Sequence, residues 1–301
     1  MGPTAAGKTA AAMALVARFP LEIVSVDSAM VYRGMDIGTA KPSVEEQQLA
    51  PHRLIDIRDP EQGYSVAEFL EDAGKAIAEI RAAGRVPLLT GGTMMYFRAL
   101  QQGLSSLPSS DPRIRDELET ELQRTGSAAL HQRLAGLDPA SAARIHHNDP
   151  QRILRALEVH AISGQPLSQL QQQQSPGLVG TGWLKISIEP RQRELLRQRI
   201  AQRFDSMLEA GFLDEVRQLR RRPGLRPDMP AMRAVGYRQA WQYLDGDCTE
   251  PRFRQLGITA TRQLAKRQIT WLRRETEVHR LDMESDTVAA SIDLLGRHLQ
   301  S

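Results

Sequence analysis

Gly2-Pro3-Thr4-Ala5-Ala6-Gly7-Lys8-Thr9 fits G-x-x-x-x-G-K-[ST] at every fixed position, with helix formers directly after it. Glycines let backbone amides turn inward around phosphate oxygens, and the new helix adds the partial positive charge of its N-terminus. In this reading Lys8 neutralises the outer phosphate and the Thr9 hydroxyl ligates Mg2+. A Gly/Thr-rich turn with no ligand is the competing reading, and the complete match favours the phosphate site. Such a loop grips a diphosphate and says nothing of what is attached to it. It normally follows a buried strand at the carboxyl edge of a sheet, so a strand ahead of Gly2 is expected upstream of the residues given.

Outward from the loop, apolar strands alternate with amphipathic helices, which argues for a mostly parallel sheet. Leu21 to Val26, His52 to Ile57 and Val86 to Thr90 read as strands. Between the second and third, Val66, Phe69, Leu70, Ala73, Ile77 and Ile80 recur at helical spacing. The texture then turns helical and polar, with breaks at Pro108, Pro112, Pro139, Pro150 and Pro166 and a glutamine run from Gln171 to Gln174. A strand from Trp183 to Ile188, long Arg-rich helices and a short strand from Val278 to Leu281 complete the chain. The expected fold class is α/β: a P-loop NTPase-like core with a mostly parallel sheet and an inserted helical domain. Residues 1–104 form the first part of the core, 105–180 the insertion, and 181–301 the second part with its basic helices.

A chain of 301 residues has room for one large core, or a core with a satellite domain. No apolar run approaches the roughly 20 residues that span a bilayer, and no basic start with an apolar middle marks a signal sequence. A cytoplasmic protein with no membrane partner is expected. The single cysteine, Cys248, excludes an internal disulfide framework and a multi-cysteine zinc site. The net charge of +3 is unevenly spread: residues 181–280 hold 21 Lys or Arg against 12 Asp or Glu, while residues 1–180 hold 17 against 20. That basic part suggests a polyanion as partner, with solvated helix faces as the alternative.

Several residues carry candidate chemistry. Asp27 closes a strand at the edge where open α/β sheets place their sites, as a Mg2+ ligand, a base or the start of a turn. Thr90-Gly91-Gly92-Thr93 ends the next strand, and locally Thr93 reads as a helix N-cap. Arg199 and Arg203 lie one turn apart, with Arg193 and Arg197 near them, a repulsive arrangement that favours a bound anion or open solvent. Lys266 to Arg274 mixes basic residues with Trp271; on a helix Arg262, Lys266, Ile269 and Arg273 share one face, and Arg267, Thr270 and Arg274 another. Such a face suits phosphates and a stacked base, or else Trp271 and Leu272 are simply buried. His146-His147 is set aside as a metal pair, because adjacent helical positions point apart and no third ligand lies at useful spacing.

Beyond single motifs, the chain resembles the bacterial tRNA dimethylallyltransferases, also called tRNA isopentenyltransferases. The matching blocks are GPTAAGKT at 2–9, VDSAMVYRGMDIGTAKP at 26–42, APHRLIDI at 50–57, LLTGGTMMYFRAL at 88–100, DPQRILRALEV at 149–159, RAVGYRQAW at 233–241 and ATRQLAKRQITWLR at 260–273. They follow the family's order across nearly the whole chain. The resemblance implies a P-loop fold that holds dimethylallyl diphosphate with Mg2+ and an inserted helical domain that helps hold the anticodon stem-loop of tRNA; a monomer is expected. Asp27 looks like the family's general base, and Thr93 matches its contact to the reacting nucleotide. Gly2, Thr4, Ala5, Ala6, Gly7, Lys8, Thr9 and Arg203 match the diphosphate site, with Thr9 on the metal. Asp27-Ser28-Ala29-Met30, Arg115, Gln151-Arg152-Ile153-Leu154-Arg155, Arg233-Ala234-Val235-Gly236-Tyr237-Arg238 and Lys266-Arg267-Gln268-Ile269-Thr270-Trp271-Leu272-Arg273 match segments that line the tRNA. Ala6 replaces a usual Ser, and Met30 stands where other side chains are common. Neither departure removes a group the chemistry needs.

That chemistry is coherent on physical grounds. An adenine amine is a poor nucleophile and needs a carboxylate to take its proton; the allylic carbon becomes electrophilic only as diphosphate leaves, and the loop, Lys8 and Arg203 are placed to stabilise that anion. The alternatives are a nucleotide kinase, which needs no large basic surface, and an adenylate isopentenyltransferase acting on free AMP. A GTPase-type switch finds no N-K-x-D element to support it.

Overall fold

The computed structural model describes residues 1–105, 107–173, 176–180 and 182–300; Gln174, the last of the glutamine run, lies outside them. The chain forms two units, one of Met1–Arg98 with Val179–Ser301, the other of Ala99–Leu178.

In the first unit α1 (Lys8–Val16), β1 (Leu21–Val26), α2 (Val44–Leu49), β2 (His52–Arg53), α3 (Val66–Ala82) and β3 (Val86–Gly91) follow in order, and α4 (Met94–Gln102) runs on to the second unit. The second unit is helical: α5 (Pro112–Leu137), α6 (Pro139–Arg144), α7 (Pro150–Ser163) and α8 (Leu167–Leu170). The first then resumes with β4 (Lys185–Glu189), α9 (Arg193–Glu209), α10 (Phe212–Arg220), α11 (Tyr237–Leu244), α12 (Glu250–Leu272), β5 (Val278–Asp282) and α13 (Thr287–Gln300).

Two parallel sheets carry the first unit, one ordered β2-β1-β3 and the other β4-β5. All six residues of β1 are buried, as expected of a central strand covered on both faces. β1 and β3 pair in register from Leu21 with Val86 to Val26 with Gly91, so Asp27 and the turn at Gly92 leave the same sheet edge side by side. The Gly91 position admits no side chain, because a Cβ there would stand 2.1 Å from the Val26 carbonyl oxygen. Met1 joins the other sheet: its carbonyl accepts from the Ile188 amide at 3.0 Å.

The strand expected over His52 to Ile57 is only two residues long. Leu54 and Asp56 take positive φ, 64° and 55°, which ends the extended run. Lys41 holds this turn from inside, donating to the Tyr32 carbonyl at 2.8 Å, Asp36 at 2.6 Å and Asp56 at 2.5 Å.

In the helical unit Pro112, Pro139 and Pro150, read from sequence as breaks, open helices instead. Each follows an aspartate, Asp111, Asp138 or Asp149, whose side chain caps the first turn. Proline suits the first helical position because its missing N–H has no partner there anyway, and each cap contributes about 1 kcal/mol. Asp138 also accepts from the Ser168 amide at 2.8 Å and its hydroxyl at 2.6 Å. Burial works against its ionisation, yet these bonds and those from Ser141 outweigh that and hold its pKa down to about 2. His146 and His147 lie in the turn between α6 and α7, not on a helix, and their rings stack at 4.3 Å; the expectation that they point apart is corrected.

Candidate active site

The P-loop residues Gly2 and Gly7 take φ of 157° and 96°, and Ala5 takes 63°. A Cβ on Gly2 would lie 2.6 Å from the Ile188 carbonyl oxygen of β4, so the loop fits only because that position is glycine. Ala6, where a Ser is usual, is 2% exposed and packs in the main core, which a methyl group suits. Gly7 caps α1 without a side-chain hydrogen bond, leaving first-turn N–H groups for an anion. The Lys8 Nζ donates to the Pro3 carbonyl at 2.8 Å.

A cavity of about 170 Å3 opens beside this loop, lined by Thr4, Ala5, Lys8, Thr9, Asp27, Thr90 to Gly92 and Arg203, among others. Desolvation by burial lowers the Lys8 pKa to about 8; Asp27 opposes that shift and Arg203 adds to it. Burial lowers Arg203 as well, against the pull of Asp27. One carboxylate therefore faces two partly desolvated cations, an arrangement that favours an incoming anion. Of the three readings of Asp27 the structure shows the turn: Oδ1 accepts from the Ala29 amide at 2.9 Å and the Met30 amide at 3.3 Å, and the residue also lines the cavity.

The Thr93 hydroxyl does not cap α4. It accepts from the Ser28 amide at 3.1 Å and donates to the Ser28 hydroxyl at 3.3 Å, while the Thr93 carbonyl starts the helix by accepting from Tyr96. Thr93 thus ties its turn to the residue after Asp27.

On α9, Ile200, Arg203, Phe204 and Met207 recur at helical spacing and all line the cavity, one cation on an apolar face. That face is fixed from behind: Arg254 of α12 forks onto Asp205 at 2.5 and 2.7 Å, and a Cβ at Gly257 would meet the Phe204 ring at 2.2 Å. Three of the four arginines of α9 reach different partners. Arg197 pairs with Glu194 at 3.0 Å, Arg199 reaches the Met283 carbonyl at 3.5 Å, and Arg203 donates to the Thr39 carbonyl at 3.4 Å.

The remaining expected contacts divide by burial. Arg233, Arg238, Lys266, Arg267, Thr270 and Arg273 are exposed. Half-buried Trp271 takes the Arg98 guanidinium over its ring at 5.9 Å, and Ile269 is half-buried too. Ala234, Val235, Gly236 and Tyr237 line the cavity instead of the surface. Tyr237, Leu272, Ile153 and Leu154 are buried in cores, and Gln268 is 7% exposed, which sets these five side chains apart from the exposed cations of their segments. In the helical unit Gln151 and Arg152 are exposed, Arg115 pairs with Glu119 at 2.7 Å, and Arg155 is held by Glu158 at 2.9 Å and the Pro108 carbonyl at 2.7 Å.

Three residues escaped the sequence reading. Glu215 of α10 accepts the amides of Asp36, Ile37 and Gly38 at 2.9, 2.6 and 3.2 Å and the Tyr237 hydroxyl at 2.6 Å, which shapes the Gly38 to Ala40 wall of the cavity. Lys41, whose side chain is only 3% exposed, shows its role only through the three oxygens it holds. His52, read only as a strand residue, lines the cavity; burial lowers its pKa despite a bond to the Ala50 carbonyl.

An α/β core with a glycine-rich loop that opens a helix, faced by a lysine, an arginine and a carboxylate, defines a P-loop-like fold. The family described as IPP transferase matches residues 30–275. A tRNA dimethylallyltransferase of Burkholderia ambifaria is 56% identical across 99% of this chain and 94% of its own length. The full-length tRNA isopentenylpyrophosphate transferase of Bacillus halodurans superposes with a TM-score of 0.72 at 36% identity, covering 99% of this chain and 95% of that one. A eukaryotic dimethylallyltransferase solved acting on tRNA gives 0.83 at 25% identity, covering 99% and 78%. The chain belongs to the IPP transferase family.

Proposed function

We propose that this protein transfers a dimethylallyl group from dimethylallyl diphosphate to the exocyclic amine of the adenine just 3′ of a tRNA anticodon, releasing diphosphate. The observation that carries this reading is the mixed lining of one cavity. Lys8, Thr9 and Arg203 offer an anion site, Ile200, Phe204, Met207 and Leu264 offer apolar surface, and Asp27 stands among them. An isoprenoid tail joined to a diphosphate at the anion site would lie against that apolar wall.

The hydroxyl of Thr9 and the carboxylate of Asp27 are hard oxygen donors of the kind Mg2+ takes alongside phosphate oxygens. Thr9 is the residue that would hold the ion, which supplies charge neutralisation on the leaving diphosphate. Lys8, Arg203 and the first-turn amides of α1 stabilise the same charge as the allylic C–O bond breaks. Asp27 receives the amine proton as the new C–N bond forms. The exposed Lys266, Arg267 and Arg273 neutralise RNA phosphates, and the target base, lying in a loop, unstacks at a cost of a few kcal/mol.

The test is to incubate the protein, Mg2+, dimethylallyl diphosphate and unmodified tRNA, digest the RNA and weigh its nucleosides. An adenosine heavier by one isoprenoid unit is expected. Modified AMP with unmodified tRNA would favour the free-nucleotide enzyme, and ADP formation the kinase.

A further inference from the structure

Gln268 lies in the segment of α12 whose exposed residues face the proposed RNA, yet it points the other way. Its Oε1 accepts the Thr4 amide of the P-loop at 2.9 Å, and its Nε2 donates to the Gly92 carbonyl at 2.9 Å. Both ends of a buried side-chain amide are therefore used, one on each of the two glycine-rich turns that form the cavity edge. Gly92 is glycine for the same reason: a Cβ there would stand 2.4 Å from the Gln268 Nε2. From Gly92 the chain passes to Thr93, whose hydroxyl meets Ser28, next to Asp27.

We infer that Gln268 is a positioning residue that holds the diphosphate cradle and the turn beside the general base at a fixed separation, from the inner face of the RNA-facing helix. The P-loop needs such a brace because Gly2, Ala5 and Gly7 all have left-handed backbone, and a loop of this kind has no ladder of its own to fix it. One amide with a donor and an acceptor fits the task, since it can tie an N–H on one turn to a C=O on the other. Misplacing reacting groups by an ångström is costly in rate, so the brace acts on the reaction without touching the reactants.

This role rests on the diphosphate lying in the P-loop, and the experiment separates the two ideas. Pyrophosphate binding is measured by calorimetry for the wild type, Lys8→Ala and Gln268→Met, the last a swap of similar size that keeps the helix and loses both hydrogen bonds. The wild type should bind and Lys8→Ala should not; if both bind equally, the P-loop reading fails, whatever Gln268 does. Given that control, Gln268→Met should weaken pyrophosphate binding and raise KM for dimethylallyl diphosphate about tenfold, with KM for tRNA unchanged. A raised KM for tRNA with normal pyrophosphate binding would make Gln268 an RNA contact and overturn the proposal, as would no change in either. Should Gln268→Met not fold, Gly92→Ala displaces the amide from the other side. Combining it with Gln268→Ala restores space but not the bonds, so recovered pyrophosphate affinity in the double variant would reduce Gln268 to a space filler.

Discussion

At Asp27 a structural and a chemical demand meet on one side chain. Oδ1 accepts the Ala29 and Met30 amides, and Oδ2 makes no hydrogen bond among the described residues. Asp27→Asn keeps an oxygen for those amides and removes the proposed base. Turnover should fall by about 10²- to 10⁴-fold with tRNA affinity unchanged in a filter-binding assay; near-normal turnover would strike Asp27 as the base. Lys8 gives a pH prediction. With its pKa lowered to about 8 by burial, it is charged below that value and neutral above it. Affinity of the free enzyme for dimethylallyl diphosphate should therefore decline as pH rises through about 8, earlier than an ordinary lysine would allow. Lys8→Arg should remove that decline, although the absolute affinity drops, and an unchanged profile would contradict the assignment.

Between elements, the clamp of α10 on the Asp36 to Gly38 segment is the clearest contact that no local pattern announces. Glu215 takes four donors, three of them consecutive amides. A carboxylate in a nest of N–H groups does internally what a bound anion does elsewhere. Removing it in Glu215→Ala strands those donors and should cost about 1–3 kcal/mol in urea unfolding, with Glu215→Gln losing less because one acceptor oxygen remains. Gly38→Ala belongs with it: the added Cβ would meet Phe212 at 2.3 Å and Tyr237 at 2.6 Å, an overpacking expected to cost about 1–3 kcal/mol. Local chemistry was readable wherever a short motif decides it. The P-loop glycines, the apolar runs of β1 and β3 and the periodicity of α3 all predict what forms. The prolines read as breaks show the limit: proline marks a boundary, and the preceding aspartate decides on which side the helix lies. Glu215 and Gln268 meet their partners across much of the chain, so composition and spacing carry no trace of either bond.

For the molecule as a whole, charge asymmetry is the feature that local geometry does not use up. The excess of basic residues over 181–280 exceeds what Lys8-type site chemistry requires, and Lys266, Arg267 and Arg273 leave it exposed on and just beyond α12. Arg273→Ala should weaken tRNA binding and lower the slope of log affinity against log salt by about 1; an unaltered slope would assign Arg273 to a solvated face. No helix among the described residues is long and apolar enough to cross a membrane. The family resemblance was legible because its blocks span both units in order, whereas the division of labour within a block was not. Gln268 and Leu272 stand beside Arg267 and Arg273 in sequence and on the opposite, buried side of the fold. The central claim is that the loop at Gly2 to Thr9 holds the leaving group while Asp27 serves the nucleophile. It is tested most directly by a crystal structure with a non-hydrolysable analogue of dimethylallyl diphosphate. The diphosphate should lie on Lys8, Thr9 and Arg203 with the isoprenoid against Ile200, Phe204 and Met207. A diphosphate seated outside this cavity, with the loop empty, would contradict the account.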